Sequence, residues 1–369
     1  MNDSLPIIKV PFHDLSRKIT KHEEGIRQAL ERVLNSGNLI LSDEVYNFEL
    51  EFADYLGAKH CVGTANGTDS LEIALKAAGV GLGSKVATCA NAGGYSSTAI
   101  SCIGAEPVFM DVEIDSRNIS IESVELAIGQ GAKYVIATHL YGLAIKDIFE
   151  ISNYCEEKGV FLIEDCAQAH GARISGKKVG TFGSISTFSF YPTKNLGALG
   201  DAGAVVTNSS DLFSRLLKLR TYGWGEKYRV EISGGRNSRL DEVQAAVLRT
   251  LLPHLDAENE KRLEIATFYN NNIVQQEMGK PIWEKGQYVG HIYAVTSAIR
   301  GKYLDKLLKS EVGHAIHYPI PDYRQMPNWR NVRGMKNSDL LAESIFSLPC
   351  YPELTLAEME LVVETINSI

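Results

Sequence analysis

The sequence predicts an α/β fold, a mainly parallel sheet with helices on both faces, followed by a smaller second domain. Three observations predict it. Short apolar runs alternate with helical patterns from residue 69 to residue 163, the signature of a parallel sheet. The runs VFLI and YVIAT are continuously apolar, as strands buried on both faces must be. The length, 369 residues, exceeds one domain of about 150. The expected division is 1–250 for a large α/β domain that includes the N-terminal helices, and 251–369 for a small C-terminal α+β domain.

Residues 15–35 place Ile19, Ile26, Ala29, Leu30 and Val33 at helical spacing and predict one amphipathic helix ended at Asn35-Ser36-Gly37. Ser42 begins a second helix, through Phe48, Phe52 and Leu56, stopped by Gly57. The alternation then runs helix Asp69–Ala78, strand Val86–Cys89, helix Tyr95–Ile103, strand Pro107–Met110, helix Ile121–Ile128, strand Tyr134–Thr138, helix Ile145–Lys158 and strand Val160–Ile163. Beyond residue 180, Ser186–Phe190 and Ala204–Thr207 read as strands joined by a glycine-rich loop, with helices at 211–220 and 240–252. From about residue 255 helix, strand and proline-rich turns (HYPIPDY, SLPCYPEL) mix.

Composition bounds the function. Hydrophobic residues make up 44% and charged residues 22%, which excludes general disorder. The net charge of −8 argues against a nucleic-acid partner, because phosphate neutralisation needs a basic face. No stretch reaches bilayer-spanning length, and the N-terminus lacks a signal-type apolar core, so a soluble cytoplasmic protein without a membrane partner is expected. The six cysteines form no C-x-x-C pair, which suits reduced thiols. His139, His170, His314 and His317 share no ligand spacing, so no metal is expected. GVGLGS (Gly79–Ser84) precedes a strand and reads as a helix-to-strand turn. GARISGKK (Gly171–Lys178) lacks the hydroxyl and helix of a triphosphate-binding loop.

One constellation carries chemistry. Glu164-Asp165 follow the buried VFLI strand, at the carboxyl end where open α/β sheets bind ligands. A carboxylate there is costly unless a cation or hydrogen-bond donor meets it. Lys194 emerges just beyond SISTFSF, in FSFYPTKNLGALGDAGA. A lysine and an aspartate at neighbouring strand ends are what pyridoxal 5′-phosphate needs: the amine forms a Schiff base with the aldehyde, and the carboxylate holds the pyridine nitrogen protonated. The phosphate calls for a helix N-terminus, and Asn66-Gly67-Thr68-Asp69 opens the Leu71 helix. Gly67 allows close backbone approach, Thr68 and Ser189 add hydroxyls, and Tyr95 in CANAGGYSS is placed to stack on a ring. Each piece taken alone also fits a bland role: a solvated lysine, a turn aspartate, a helix cap, a core tyrosine.

These motifs together resemble the DegT/DnrJ/StrS sugar aminotransferases, pyridoxal-phosphate enzymes of fold type I, the aspartate aminotransferase fold with its seven-stranded sheet. FELEFADYLGAKHCVGTANGTDSLEIAL, GAEPVFMDV, THLYG, IEDCAQAHGA, FSFYPTKNLGALGDAGAVVTN, GRNSRLDEVQAAVL, HYPIP and SLPCYPEL carry the likeness nearly end to end. It implies that Lys194 is the Schiff-base lysine and proton shuttle, and Asp165 the pyridinium partner. Gln168 would lie on the cofactor's phenolic-oxygen side, and Gly67, Thr68 and Ser189 would form the phosphate cup. Asn237 would reach the phosphate of the other subunit, which implies a homodimer with shared sites. His317 and Tyr318 sit where family members approach the sugar. A diphosphate substrate also needs cations, for which Arg229, Arg236 and Arg239 are candidates. One departure stands out: a Pro and a Thr-Phe pair common in the family are replaced by CANAGGYSSTAI, so stacking falls to Tyr95 and two glycines reshape the sugar pocket.

The implied reaction moves the amine of L-glutamate onto a keto group of a dTDP- or UDP-linked keto(deoxy)hexose for amino-sugar biosynthesis. HLYG (His139–Gly142) resembles the 3-keto subgroup. The alternatives are a 4-keto aminotransferase, a deoxygenating relative in which histidine replaces the lysine, and a catalytically silent regulatory protein on the same fold.

Overall fold

The computed structural model describes residues 8–326, 329 and 332–369. Two helices stand where the apolar spacing predicts one: α1 (Leu15–Lys21) and α2 (Glu23–Ser36). The break is His22, whose ring bonds Glu258 Oε1 at 2.8 Å and packs on His254. A tertiary contact thus overrides local periodicity. Helix α3 (Asp43–Leu56) ends at left-handed Gly57 as expected.

The alternation then proceeds through β1 (His60–Thr64), α4 (Gly67–Ala77), β2 (Lys85–Cys89), α5 (Tyr95–Cys102), β3 (Glu106–Met110), α6 (Ile121–Gly129), β4 (Tyr134–Thr138), α7 (Ile148–Glu157) and β5 (Phe161–Asp165). The glycine-rich GARISGKK segment is a small hairpin, β6 (Arg173–Ile174) and β7 (Lys177–Lys178). Strands β8 (Ile185–Ser189) and β9 (Gly203–Thr207) lead to α8 (Ser210–Leu219), the hairpin β10 (Trp224–Glu226) and β11 (Arg229–Val230), and α9 (Glu242–Leu251). Helix α10 (Leu255–Asn272) begins the C-terminal part. There α11 (Arg300–Lys309), α12 (Asp322–Gln325), α13 (Lys336–Ser344) and α14 (Leu356–Asn367) accompany an antiparallel pair, β12 (Tyr293–Thr296) and β13 (Ile345–Leu348).

The main sheet has seven strands in the order β1-β9-β8-β5-β4-β2-β3. β8, β5, β4, β2 and β3 are mutually parallel, and β9 runs against both of its neighbours. Alternate side chains enter different cores. Val86, Ile136 and Ile163 pack with α4 and α5, whereas Ala87, Val135 and Leu162 pack with α6 and α7. That two-sided burial explains the continuous apolar runs. The order puts β5 at the centre, so the carboxyl ends of β4, β5 and β8 open on one place.

The C-terminal part has its own core, including Tyr269, Tyr293, Tyr303, Phe346 and Tyr351, and Val10 near the N-terminus joins it. Among the described residues no helix is long and apolar enough to cross a membrane. All six cysteines are free thiols.

Candidate active site

A cavity of about 510 Å³ lies at the carboxyl ends of the parallel strands. Gly67, Thr68, Tyr95, Asp165, Gln168, Ser189, Lys194, His317 and Tyr318 all line it. Asn237 and Arg239 do not: Asn237 is exposed and Arg239 half-buried, on the segment after the β10–β11 hairpin. Arg236 is engaged by Asp69 at 3.1 Å and Glu72 at 2.5 Å, and Arg229 is exposed.

Two adjacent carboxylates end β5, and the strand's pleat sends them to opposite sides. Glu164 is fully buried away from the cavity. It accepts the N–H groups of Gly180, Phe182 and Gly183, each at 2.7 Å, and the Nε2 of His139 at 3.1 Å. Ile145 donates its N–H to His139 Nδ1, so His139 carries its proton on Nε2. Cys166 completes a cluster with these two, yet the ring nitrogens and the carboxylate are all engaged within the protein.

Asp165, only 5% exposed, faces the cavity. Its donors are the Ala167 N–H at 3.1 Å, Thr138 Oγ1 at 3.4 Å and Ser96 Oγ at 3.5 Å. Burial raises its carboxyl pKa, opposed by the Ala167 N–H and by Lys194. Burial lowers the Lys194 amine from 10.5 to about 8, with Asp165 acting in the other direction. The amine is thereby brought into a range where both protonation states are populated near neutral pH.

Helix α4 presents its N-terminus to the same cavity. Asn66 caps it by accepting the Asp69 N–H at 2.9 Å, which leaves the Gly67 and Thr68 end free for an anion. A Cβ on Gly67 would stand 2.6 Å from Ser189 Cβ, so only glycine lets the helix end lie against the Ser189 hydroxyl. An anion-binding helix end, an amine with a depressed pKa and a loosely held buried carboxylate are the three features a pyridine-aldehyde phosphate requires, and the chain supplies all of them here.

The remaining wall comes from distant segments. Gln168 Oε1 accepts the Tyr141 N–H at 2.6 Å and its Nε2 donates to Tyr318 Oη at 2.9 Å. Tyr141 in turn donates its hydroxyl to the His317 carbonyl at 2.5 Å. Tyr95 opens α5, is 54% exposed and meets Tyr318 edge-on with ring centres 6.0 Å apart. Gly93 has φ +78°, and a Cβ there would stand 2.7 Å from the Tyr318 ring. Glycine at position 93 therefore makes room for Tyr318. Asp322 also faces this loop, accepting from Ser97 Oγ at 3.4 Å, and burial raises it to about 6. Thr138, Tyr141, His291 and Asp322 escape the sequence reading. Thr138 had a signal, since it ends an apolar run beside Asp165, and Tyr141 lies within the HLYG segment, though no role was given to it there; His291 and Asp322 had none.

Comparison with known proteins gives the chain's relatives. The family model for the DegT/DnrJ/EryC1/StrS aminotransferases matches residues 20–367. A relative from Aneurinibacillus thermoaerophilus, dTDP-3-amino-3,6-dideoxy-alpha-D-galactopyranose transaminase, is 40% identical over 97% of this chain and 99% of its own. One from Micromonospora megalomicea subsp. nigra, dTDP-3-amino-3,4,6-trideoxy-alpha-D-glucose transaminase, is 38% identical over 95% of this chain and 96% of its own. Among solved structures, S. venezuelae DesV in complex with a ketimine intermediate superposes with a TM-score of 0.93 at 34% identity, over 99% of this chain and 98% of the other.

Proposed function

The chain belongs to the DegT/DnrJ/EryC1/StrS aminotransferase family, and from that premise we propose that it moves the amine of L-glutamate onto the 3-keto group of a dTDP- or UDP-linked keto(deoxy)hexose. It is a pyridoxal-phosphate-dependent nucleotide-sugar aminotransferase. The observation that carries the cofactor chemistry is the meeting of Lys194, Asp165 and the α4 N-terminus on one cavity. The names of the first relatives, both 3-amino-sugar transaminases, support the 3-keto position.

Pyridoxal 5′-phosphate, when bound, supplies an aldehyde that takes up amines and a ring that draws electrons from the carbon being deprotonated. Asp165 holds a proton at the ring nitrogen, where its charge stabilises the electron-poor form. The Gly67 and Thr68 end of α4 and the Ser189 hydroxyl bind the phosphate. Lys194 anchors the group through Nζ and takes and returns a proton at that nitrogen. Gln168 holds Tyr318, and Tyr95 covers the ring. His317 and Tyr318 approach the sugar, and Arg239 approaches its diphosphate. Asn237, exposed on the single chain, serves the phosphate of a second subunit, so the active form is a homodimer with shared sites. We place the enzyme in the cytoplasm, where the six thiols stay reduced. Residues 1–250 form the cofactor-binding domain and 251–369 the smaller one.

Glutamate added to the purified enzyme shifts the cofactor's absorbance, and a keto hexose then restores it, as two-stroke transfer requires. Lys194→Ala lowers turnover by more than about 10³-fold. No glutamate-dependent shift in the wild type, or retained turnover in the variant, overturns the reading.

A further inference from the structure

His291 has no part in the chemistry above, yet it lines the cavity with Lys194. Hydrogen bonds settle its tautomer from two backbone carbonyls. The His170 carbonyl can only accept, so the Asn259 amide that meets it at 2.8 Å points Nδ2 there and turns Oδ1 to Asn195. Asn195 Nδ2 donates to that Oδ1 at 2.7 Å and to the Val289 carbonyl at 2.9 Å. Both of its protons are then committed, and its Oδ1 is the atom 3.0 Å from His291 Nδ1. Nδ1 must carry the proton, which leaves a lone pair on Nε2. Among the described residues Nε2 has no hydrogen-bond partner.

The ring is also held in place. Ile292 and Val289, on either side of it, donate their N–H groups to the carbonyls of Tyr141 and Gly142 at 3.2 and 3.0 Å. Gly142 has φ +86°, and a Cβ there would stand 2.9 Å from His291 Cβ. The glycine of the HLYG segment is thus what admits His291 to the cavity. Burial and the nearby Lys194 push the imidazole pKa well below its ordinary value, so the ring stays neutral.

We infer that His291 is a specificity-determining residue whose Nε2 accepts a hydrogen bond from a hydroxyl of the bound hexose. A fixed acceptor repels the carboxylates of an amino-acid donor and the cofactor's phosphate, and welcomes a donor. The proposed reaction brings two kinds of donor into this cavity, glutamate's ammonium and the sugar hydroxyls. The ammonium is taken up at the cofactor aldehyde beside Lys194, which leaves the hydroxyls to meet Nε2, and the inference rests on that reading.

The test separates the two half-reactions. His291→Leu raises the KM for the keto sugar and weakens calorimetric binding of the nucleotide-linked amino-sugar product by about tenfold, the scale of one hydrogen bond. It leaves the glutamate half-reaction unchanged, and His291→Gln, which keeps an acceptor near the same point, restores most of the loss. A measurement independent of any variant uses wild-type enzyme with product analogues that each lack one sugar hydroxyl: one of them binds about tenfold more weakly. Unchanged sugar affinity in His291→Leu, or no analogue that loses affinity, overturns the inference. An equal loss in the glutamate half-reaction also overturns it, because the donor is then Lys194 or the ammonium of glutamate. Wild-type amination of a nucleotide-linked keto hexose is the control whose failure would strike the functional reading instead.

Discussion

Glu164 and Asp165 are neighbours on β5, both are buried, and they are treated oppositely. Behind the sheet, Glu164 receives three backbone N–H groups at 2.7 Å and a histidine, and it ties the 180–183 loop to the strand. On the cavity side, Asp165 receives one N–H at 3.1 Å and two hydroxyls at 3.4 and 3.5 Å. Two acidic side chains of nearly the same chemistry thus differ in how completely the protein satisfies them. Saturation marks the carboxylate that builds the fold. Incomplete satisfaction marks the one left to meet something from outside, since a buried charge without full partners is costly.

The sharpest way to break that contrast is to neutralise each acid in turn. Asp165→Asn lowers kcat by roughly 10²–10³-fold, the scale of losing one preorganised charge, while urea unfolding stays near wild type. Glu164→Gln does the reverse. It lowers unfolding free energy by roughly 2–4 kcal/mol, because an amide N–H₂ now faces backbone donors, and turnover per folded molecule is kept. If both variants lose stability and activity alike, the contrast is wrong.

A second prediction concerns the amine opposite Asp165. Lys194 is depressed to about 8 in the folded chain against 10.5 ordinarily. Between those values the unfolded chain holds a proton that the folded chain has released, so the stability of the cofactor-free protein rises with pH there. Lys194→Met flattens that rise in denaturation midpoints measured at pH 7.5 and 9.5, and an unchanged slope would place the amine in water. The smallest effect belongs to Ser96→Ala. Its hydroxyl stands 3.5 Å from Asp165, and its loss changes stability by less than about 1 kcal/mol in the same assay.

Where the chain is read locally, the sequence suffices. Strands β2, β4 and β5 were legible because helices cover both of their faces, which demands apolar runs. Lys194 and Asp165 were legible because each stands at a strand end amid turn-forming residues. What escaped depends on distant partners. The break at His22 is made by Glu258, far along the chain. β1 is an edge strand containing Gly63 and pairs in the sheet with β9 alone. His291 lies in a loop with no pattern of its own, and its place is given by Gly142 and Asn195. Asn237 and Arg239 lie outside the cavity of the single chain, so geometry within one chain says nothing for them.

The clasp on the lysine loop has a consequence for the order of synthesis. Asn195 is held from one direction by Lys18, whose ammonium reaches its carbonyl at 3.3 Å, and from the other by Asn259, Val289 and His291. A chain leaving the ribosome completes its seventh sheet strand at Thr207, well before those last three residues emerge. A product cut short in translation can therefore own the entire sheet and still lack the grip that sets its reactive nitrogen.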